Sequence, residues 1–298
     1  MIIIKLQGGL GNQMFQYAFG KSLSKQLNCS LYLDPSFFVP QPIEVDITPR
    51  RYELNIFEAD ISFASEKMIS QFFHPGLFQR VLNKLNTAKK ILHKESSLLV
   101  DHEVFKMKPP VYFDGFWQSE KYFSDNENLI RKVFKFKKPL SIHSQKLATE
   151  ILKCENAVSV HIRRGDYISS ERTNQIHGTC SVAYYINAIS LLKSKLNKLY
   201  FYFFSDDPEW VIGNLVQNLQ NYEVVKHNTG DDSWQDMALM SRCKHHIIAN
   251  SSFSWWGAWL NPDKEKIVIA PENWFKIKTD YHNISDLLPG NWVKLKNE

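Results

Sequence analysis

The sequence predicts an α/β protein whose parallel sheets are flanked by helices, and three observations carry that prediction. Short apolar runs alternate along the chain with stretches of helical period, the pattern of consecutive β-α units. One such run, Ala157 to Ile162 in AVSVHIRRGDY (Ala157–Tyr167), ends in a burst of charge, as a strand buried on both faces does. The chain also opens on strand, glycine turn and helix, a geometry that turns backbone N–H groups and a helix start toward a ligand. Its 298 residues suffice for one large or two medium domains. The charged, proline-ended segment KFKKP (Lys135–Pro139) has linker composition and divides the chain into domains 1–138 and 139–298.

In the first domain Ile2–Gln7 reads as a strand, Gly8–Gln13 as a turn and Met14–Leu27 as a helix. Met14, Tyr17, Ala18, Leu23 and Leu27 approximate one apolar face of that helix. Two phosphate-loop patterns fail here. The third glycine position of a dinucleotide fingerprint holds Met14, and Gly20-Lys21-Ser22 lies inside the helix with Phe15 where the leading glycine belongs. The carboxamides of Asn12 and Gln13 suit sugar hydroxyls. Ser30–Leu33 is a second strand, ended by Asp34-Pro35, and Gln41–Arg51 a proline-bearing loop. Leu54–Ile69 has no firm pattern. His74–Lys94 reads as a basic amphipathic helix with Leu77, Val81, Leu85, Ile91 and Leu92 on one side, a face that can lie weakly on an anionic membrane surface. Val111–Gly115 is another strand, and Phe116-Trp117 after it reads as core more than as a sugar platform.

In the second domain Ser141–Leu152 reads as a helix ahead of the central strand. Ser169–Cys180 reads as a polar loop carrying Glu171, Arg172 and His177, and Val182–Leu196 as a helix. Leu199–Phe204 is a strongly apolar strand ending in Ser205-Asp206-Asp207-Pro208. Glu209–Leu219 is helical, Tyr222–Val225 a short strand, Asp231–Ser233 an acidic turn, and Ser233 fits the N-cap of a helix through Cys243. His246–Ala249 is a strand, Trp255–Leu260 a helix closed by Asn261-Pro262, and Ile267–Ala270 the last strand.

Composition narrows the function. A hydrophobic fraction of 44% and a charged fraction of 22% are those of an ordinary globular protein. Twenty Phe, twelve Tyr and eight Trp supply core but also sugar-binding surface. A net charge of +5 with no basic stripe permits nucleotide ligands and argues against a nucleic-acid partner. Four cysteines without a CxxC pair argue against a disulfide framework or a cysteine zinc site, and fit a reducing compartment. No apolar run reaches membrane-spanning length, and MIIIKLQGG is too short for a signal peptide. The expected location is the cytoplasm, at most peripheral to the inner membrane surface.

Ligands of open α/β sheets bind beyond the carboxyl ends of the strands. There the second domain carries His161–Asp166, Ser205–Asp207 and Asn250–Ser254. Arg163 can fork onto a phosphate through two parallel N–H···O bonds, whereas Arg164 with Asp166 also reads as a surface ion pair. The hydroxyls and free N–H groups at Ser251 and Ser252 can accept phosphate oxygens, although capping alone explains serines there. Trp255, Trp256 and Trp259 read as core. Neither Asp-x-Asp nor HExxH occurs, and His245-His246 on one strand point to opposite faces, so no metal is expected.

At these clusters the sequence resembles the bacterial α-1,2-fucosyltransferases (glycosyltransferase family 11), relatives of the eukaryotic galactoside 2-fucosyltransferases. GGLGNQMFQYA (Gly8–Ala18), HIRRGDY (His161–Tyr167) and ANSSFSWWGAWLNP (Ala249–Pro262) carry the resemblance and span nearly the whole chain. It implies the GT-B architecture, two Rossmann-like domains facing across a cleft, with the acceptor on the first and GDP-fucose on the second. It implies transfer of fucose to the 2-hydroxyl of a terminal β-galactoside with inversion, no metal and no cofactor beyond the donor. By analogy Arg163 holds the β-phosphate, His161 lies near the nucleotide, and Asp236 pairs with guanine N1–H and N2–H. Asn250, Ser251, Ser252 and Phe253 border the diphosphate, and Gly11 and Asn12 complete the binding set.

The reaction implied is a single displacement in which preorganised charge on the departing diphosphate matters most. Asp166, Glu171, His177 and Asp231/Asp232 are eligible as general base, and Asp166 is taken with Arg163 and His161 as the catalytic set. The competing readings are another GDP-sugar or nucleotide-sugar transferase of the same fold, and a non-catalytic nucleotide-sugar or glycan sensor.

Overall fold

Ile2–Lys5 forms β1 at the centre of a four-stranded parallel sheet, because its three isoleucines are buried on both faces. The structure is a computed structural model, and it describes residues 1–39, 50–73, 90–277 and 279–297, apart from the side chains of Asp166, Ser169 and Arg172. The described chain forms two compact units. The first comprises the described residues up to Lys137 together with Thr279–Pro289, and the second comprises those from Lys138 to Ile277 and from Gly290 onward. Each is Rossmann-like, as in GT-B proteins. The division falls beside the expected one, but Thr279–Pro289 returns to the first unit, which a boundary drawn once at 138/139 omits. KFKK is held by structure too: Lys137 N–H donates to Ile56 O at 2.9 Å and Phe136 packs on Phe57.

The first sheet runs β2 (Leu31–Asp34), β1, β4 (Val111–Asp114), β3 (Ile91–Lys94), all parallel. Helix α1 spans Leu10–Gln26, starting four residues earlier than the glycine pattern suggests. Gly9 is its N-cap in extended conformation and its carbonyl accepts from Asn12 and Gln13, so Gly11–Gln13 are first-turn residues and not a turn. The helix is buried well beyond one face, because its polar residues are bonded in place. Gln13 donates to Gly8 O and Arg51 O and accepts from Glu53 N–H; Gln16 accepts from Gln7 N–H and donates to Gly115 O. Of the expected basic helix His74–Lys94, residues 74–89 lie outside the described residues. Ile91–Lys94 is strand β3, whose alternating exposure is a strand period. Glu66–Phe73 is α2 and Glu127–Val133 is α3.

The second sheet runs β10 (Val293–Leu295), β9 (Val268–Pro271), β8 (His245–Ile247), β5 (Asn156–Ile162), β6 (Leu199–Ser205), β7 (Tyr222–Val225), again parallel. Every residue of β5 is buried. Its helices are α4 (Ile142–Lys153), α5 (Gly165–Ser169), α6 (Glu171–His177), α7 (Val182–Lys195), α8 (Pro208–Asn214), α9 (Trp234–Met240) and α10 (Ser252–Leu260). The expected loop Ser169–Cys180 therefore contains helix, begun by Ser170, whose hydroxyl accepts from Thr173 N–H; the signal was a cap and not apolar period. Ser233 occupies the N-cap position of α9 without a side-chain capping bond, and that helix stops at Met240, short of Cys243. Trp255 and Trp256 are fully buried and Trp259 nearly so, the core role expected of them. Among the described residues no helix is long and apolar enough to cross a membrane.

Candidate functional site

In the second unit β5 lies between β8 and β6, so the three polar clusters leave one edge of the sheet side by side. The Asp206 carboxylate, just past β6, accepts from Arg163 Nη1 at 2.9 Å and from the Arg164 backbone N–H at 2.8 Å. Arg164 donates its Nε to Asp207 at 3.0 Å and lays its guanidinium 4.1 Å from the Trp210 ring centroid. Arg164 thus pairs with Asp207, and the side chain of Asp166, its partner in the sequence alternative, lies outside the described residues. Asp207 also caps α8 by accepting from Trp210 N–H at 3.2 Å. Arg164 is therefore tied into structure, and Arg163 is the guanidinium presented at the strand end.

Tyr167 joins this corner to the next strand. Its ring lies 5.8 Å from the Arg163 guanidinium and its hydroxyl donates to Asn250 O at 3.1 Å. Asn250 opens the segment into α10, but its own carboxamide is used inside the protein. It donates to His177 O, Gly178 O and Trp274 O at 3.0–3.2 Å and accepts from Cys180 Sγ. Asn250 accordingly fixes the loop and does not offer its amide outward. Ser251 is the N-cap of α10, its hydroxyl accepting from Phe253 N–H at 3.3 Å. Ser254 turns its hydroxyl back onto Ala249 O and Ser251 O. Half-buried Ser252 begins the helix, whose first N–H groups have no partner inside it.

His161 is only 6% exposed, its ring 5.7 Å from that of Phe253. Among the described residues its Nδ1 has no hydrogen-bond partner, an unusual state for a buried polar atom and one that a ligand would relieve. Burial, with the Arg163 charge beside it, pushes the imidazole down to about 3. The ring is neutral at ordinary pH, which suits hydrogen bonding and not proton abstraction.

Asp236 lies in the first turn of α9, which packs on α10. It is half-buried, and burial pushes its carboxyl up to about 7, while a 2.8 Å hydrogen bond from Asn228 Nδ2 pulls the other way. Gly11 and Asn12 belong to the first unit. There Asn12 accepts from Gln118 at 2.8 Å and crowds Gly8, whose φ of +76° and lack of space for a Cβ both call for glycine.

His245 bonds Asn156 and Ile267 N–H while His246 bonds Ser159 and Asn261, so the adjacent pair shares no ligand position. Glu171 accepts from Gln175, and His177 stacks on Tyr167 with ring centroids 4.9 Å apart. Sequence reasoning missed Asn228 and did not pair Asp206 with Arg163; neither has a local signal, because Arg163 and Asp206 leave different strands and Asn228 lies in the irregular stretch between β7 and α9. It also missed Glu95 beyond β3, which accepts from Phe116 N–H, Trp117 N–H and Tyr281 and holds Trp117 at φ +55°.

A family model described as glycosyl transferase family 11 matches residues 1–296. The chain is 38% identical over 301 residues to an α-1,2-colitosyltransferase of Escherichia coli, covering 99% of each. It is 34% identical over 309 residues to the O-antigen biosynthesis glycosyltransferase WbnK of Escherichia coli, covering 97% of this chain and 99% of that one. A galactoside 2-α-L-fucosyltransferase of Caenorhabditis elegans is 28% identical over 191 residues, covering 61% and 52%. Among solved structures, the fucosyltransferase NodZ from Bradyrhizobium superposes with a TM-score of 0.51 at 16% identity, covering 88% of this chain and 92% of that one. NodZ α-1,6-fucosyltransferase soaked with GDP-fucose gives 0.50 with the same identity and coverage. These likenesses bear on the fold.

Proposed function

The chain belongs to glycosyl transferase family 11, and on that footing we propose that it moves fucose from GDP-fucose to the 2-hydroxyl of a terminal β-galactoside, inverting the anomeric centre. The observation that carries the reading is the corner at the carboxyl edge of the second sheet. An arginine aimed by Asp206 and the capped start of α10 leave adjacent strand ends and are linked through Tyr167. A guanidinium and the N–H groups of a helix start together are a site for two phosphates. Arg163 takes the β-phosphate, and the α10 start with Ser251, Ser252 and Phe253 takes the remaining diphosphate oxygens. His161 offers a neutral ring nitrogen to the nucleotide, and Asp236 accepts from guanine N1–H and N2–H. Asn12, next to Gly11 in the first unit, is the hydroxyl-binding amide.

In the reaction the acceptor oxygen forms its bond to the anomeric carbon as the bond to the β-phosphate oxygen breaks. The electron pair leaves on the diphosphate, and the hydroxyl proton passes to a base or to water. Arg163 and the α10 N–H groups take up the charge that grows on the leaving group, the work a divalent cation does elsewhere.

A second donor reading is favoured by the colitosyltransferase relative, which covers this chain end to end: GDP-colitose on the same site. One experiment separates the two. The protein is incubated with GDP-fucose, GDP-colitose or UDP-galactose and a panel of β-galactosides in EDTA, and the product linkage is read by NMR. An α-1,2-fucosylated product is expected; exclusive use of GDP-colitose would move the assignment to the second donor, and use of the UDP-sugar would overturn it.

A further inference from the structure

We propose that Asn228 is a positioning residue that keeps the Asp236 carboxylate ionised and aimed, as the last link of a one-way hydrogen-bond chain beginning at His227; the proposal rests on the reading of Asp236 as the purine-base contact. Asn228 Nδ2 donates to Asp236 Oδ1 at 2.8 Å, and Ser144 Oγ donates to Asn228 Oδ1 at 2.9 Å. A serine hydroxyl has one proton to give, so His227 Nε2, 2.9 Å from the same oxygen, must be the donor there. Every N–H and O–H along the chain therefore points toward the carboxylate. Such a chain polarises cooperatively and favours negative charge at its end.

The arrangement is sheltered. Ser144 is fully buried in the first turn of α4 and Asn228 is 8% exposed, so water competes poorly for either. Next to them Gln235 accepts from Ser141 N–H at 2.7 Å, which ties α4 to α9 independently of Asn228. The other ionisable groups nearby are His143, whose ring is 6.0 Å from that of His227, and the exposed Asp231 and Asp232 in the turn before α9. Burial and the nearby His143 hold His227 below its usual range, which disfavours its charged form. The influences on Asp236 itself are burial, which raises it, and Asn228, which lowers it. That balance leaves the carboxyl poised near neutrality. A protonated acid would set an O–H donor against a base edge that is itself donor-only, whereas the carboxylate accepts both N–H groups.

The test is calorimetric binding of GDP and of IDP, which lacks the exocyclic amino group, between pH 5.5 and 8.5. It compares the unmodified protein with Asn228→Leu, Ser144→Ala and Asp236→Asn. GDP affinity should rise with pH through neutrality. In Asn228→Leu the midpoint should move up by about one pH unit, with roughly tenfold weaker binding at pH 6.5 that recovers toward pH 8.5. Ser144→Ala should move it the same way by less, and IDP should bind more weakly with a shallower pH dependence. An unchanged midpoint, or a loss equal at every pH, would make Asn228 a packing residue and overturn the proposal. If Asp236→Asn binds GDP undiminished, the purine assignment of Asp236 itself fails. If it loses GDP while Asn228→Leu keeps its midpoint, only the chain fails. Should circular dichroism show Asn228→Leu unfolded, Ser144→Ala decides on the same criteria.

Discussion

Asp206 holds the Arg163 guanidinium at 2.9 Å from the neighbouring strand end and, with its other oxygen, the backbone N–H of Arg164 at 2.8 Å. One carboxylate thus sets both the direction of the arginine and the path of the chain that carries it. Both side chains are about a quarter exposed, so the pair adds little to stability. Its consequence is orientation, which matters where charge develops in a transition state.

Replacing Arg163 by alanine should lower turnover with GDP-fucose by about 10²–10³-fold, the usual effect of removing one preorganised donor from a developing anion. Arg163→Lys should recover only a small part, because an ammonium cannot fork onto a phosphate. Initial rates, with circular dichroism to confirm the fold, check this; a turnover within threefold of the parent would remove Arg163 from the site.

Gly165→Ala tests the aim of Arg163 without touching either charge. A Cβ there would lie 2.9 Å from Asp206 Oδ2, so the carboxylate must swing away. The thermal midpoint should barely move, since an exposed pair is worth about 0–1 kcal/mol. Turnover should fall roughly tenfold through misplacement of the guanidinium.

His161 makes stability depend on pH. Its imidazole is pushed down to about 3 in the folded chain, against 6.5 when unfolded. Below pH 6.5 the unfolded chain therefore binds a proton that the native one refuses. Stability is full above that pH and lost as it falls toward 3, by about 1.4 kcal/mol per pH unit. Fully buried His246, also held low, acts with the same sign. Urea unfolding between pH 8 and 4.5 should show a shallower acid slope in His161→Gln, by about one proton; parallel slopes would mean that His161 titrates normally.

Ser251→Ala removes the side-chain cap of α10. Unfolding free energy should drop by about 0.5–2 kcal/mol. GDP should also bind more weakly, as the helix start frays; equal GDP affinity would separate the cap from the donor site.

Transfer should run at an unchanged rate in EDTA and gain nothing from added Mg²⁺ or Mn²⁺, because Arg163 and the α10 start carry the leaving-group charge. A rate that collapses with chelator and returns with metal would refute this.

Much of the second unit was legible because its strands are strong local signals. Tyr222–Val225 was read to the residue, and the arginines of HIRRGDY were placed at a strand end from apolar run and charge alone. Two strands escape that reading: Ile91–Lys94 falls at the end of the expected helix His74–Lys94, and Val293–Leu295 has three residues, too few to show a period. Helix α1 began early since Gly9, extended, serves as a cap where glycine suggested a longer turn.

Partners were the other blind spot. The residue types of the site, arginine, serine cluster and aspartate, follow from the sequence, because local pattern sets strand, cap and helix start. That Arg163 faces Asp206, that Asn250 spends its amide on three distant carbonyls, and that Ser144 backs the amide Asn228 gives to Asp236 were decided by tertiary structure alone. A hydrogen bond needs a donor and an acceptor within about 3 Å. For residues more than forty positions apart, strand order in the parallel sheet supplies that proximity, and one linear sequence does not print it.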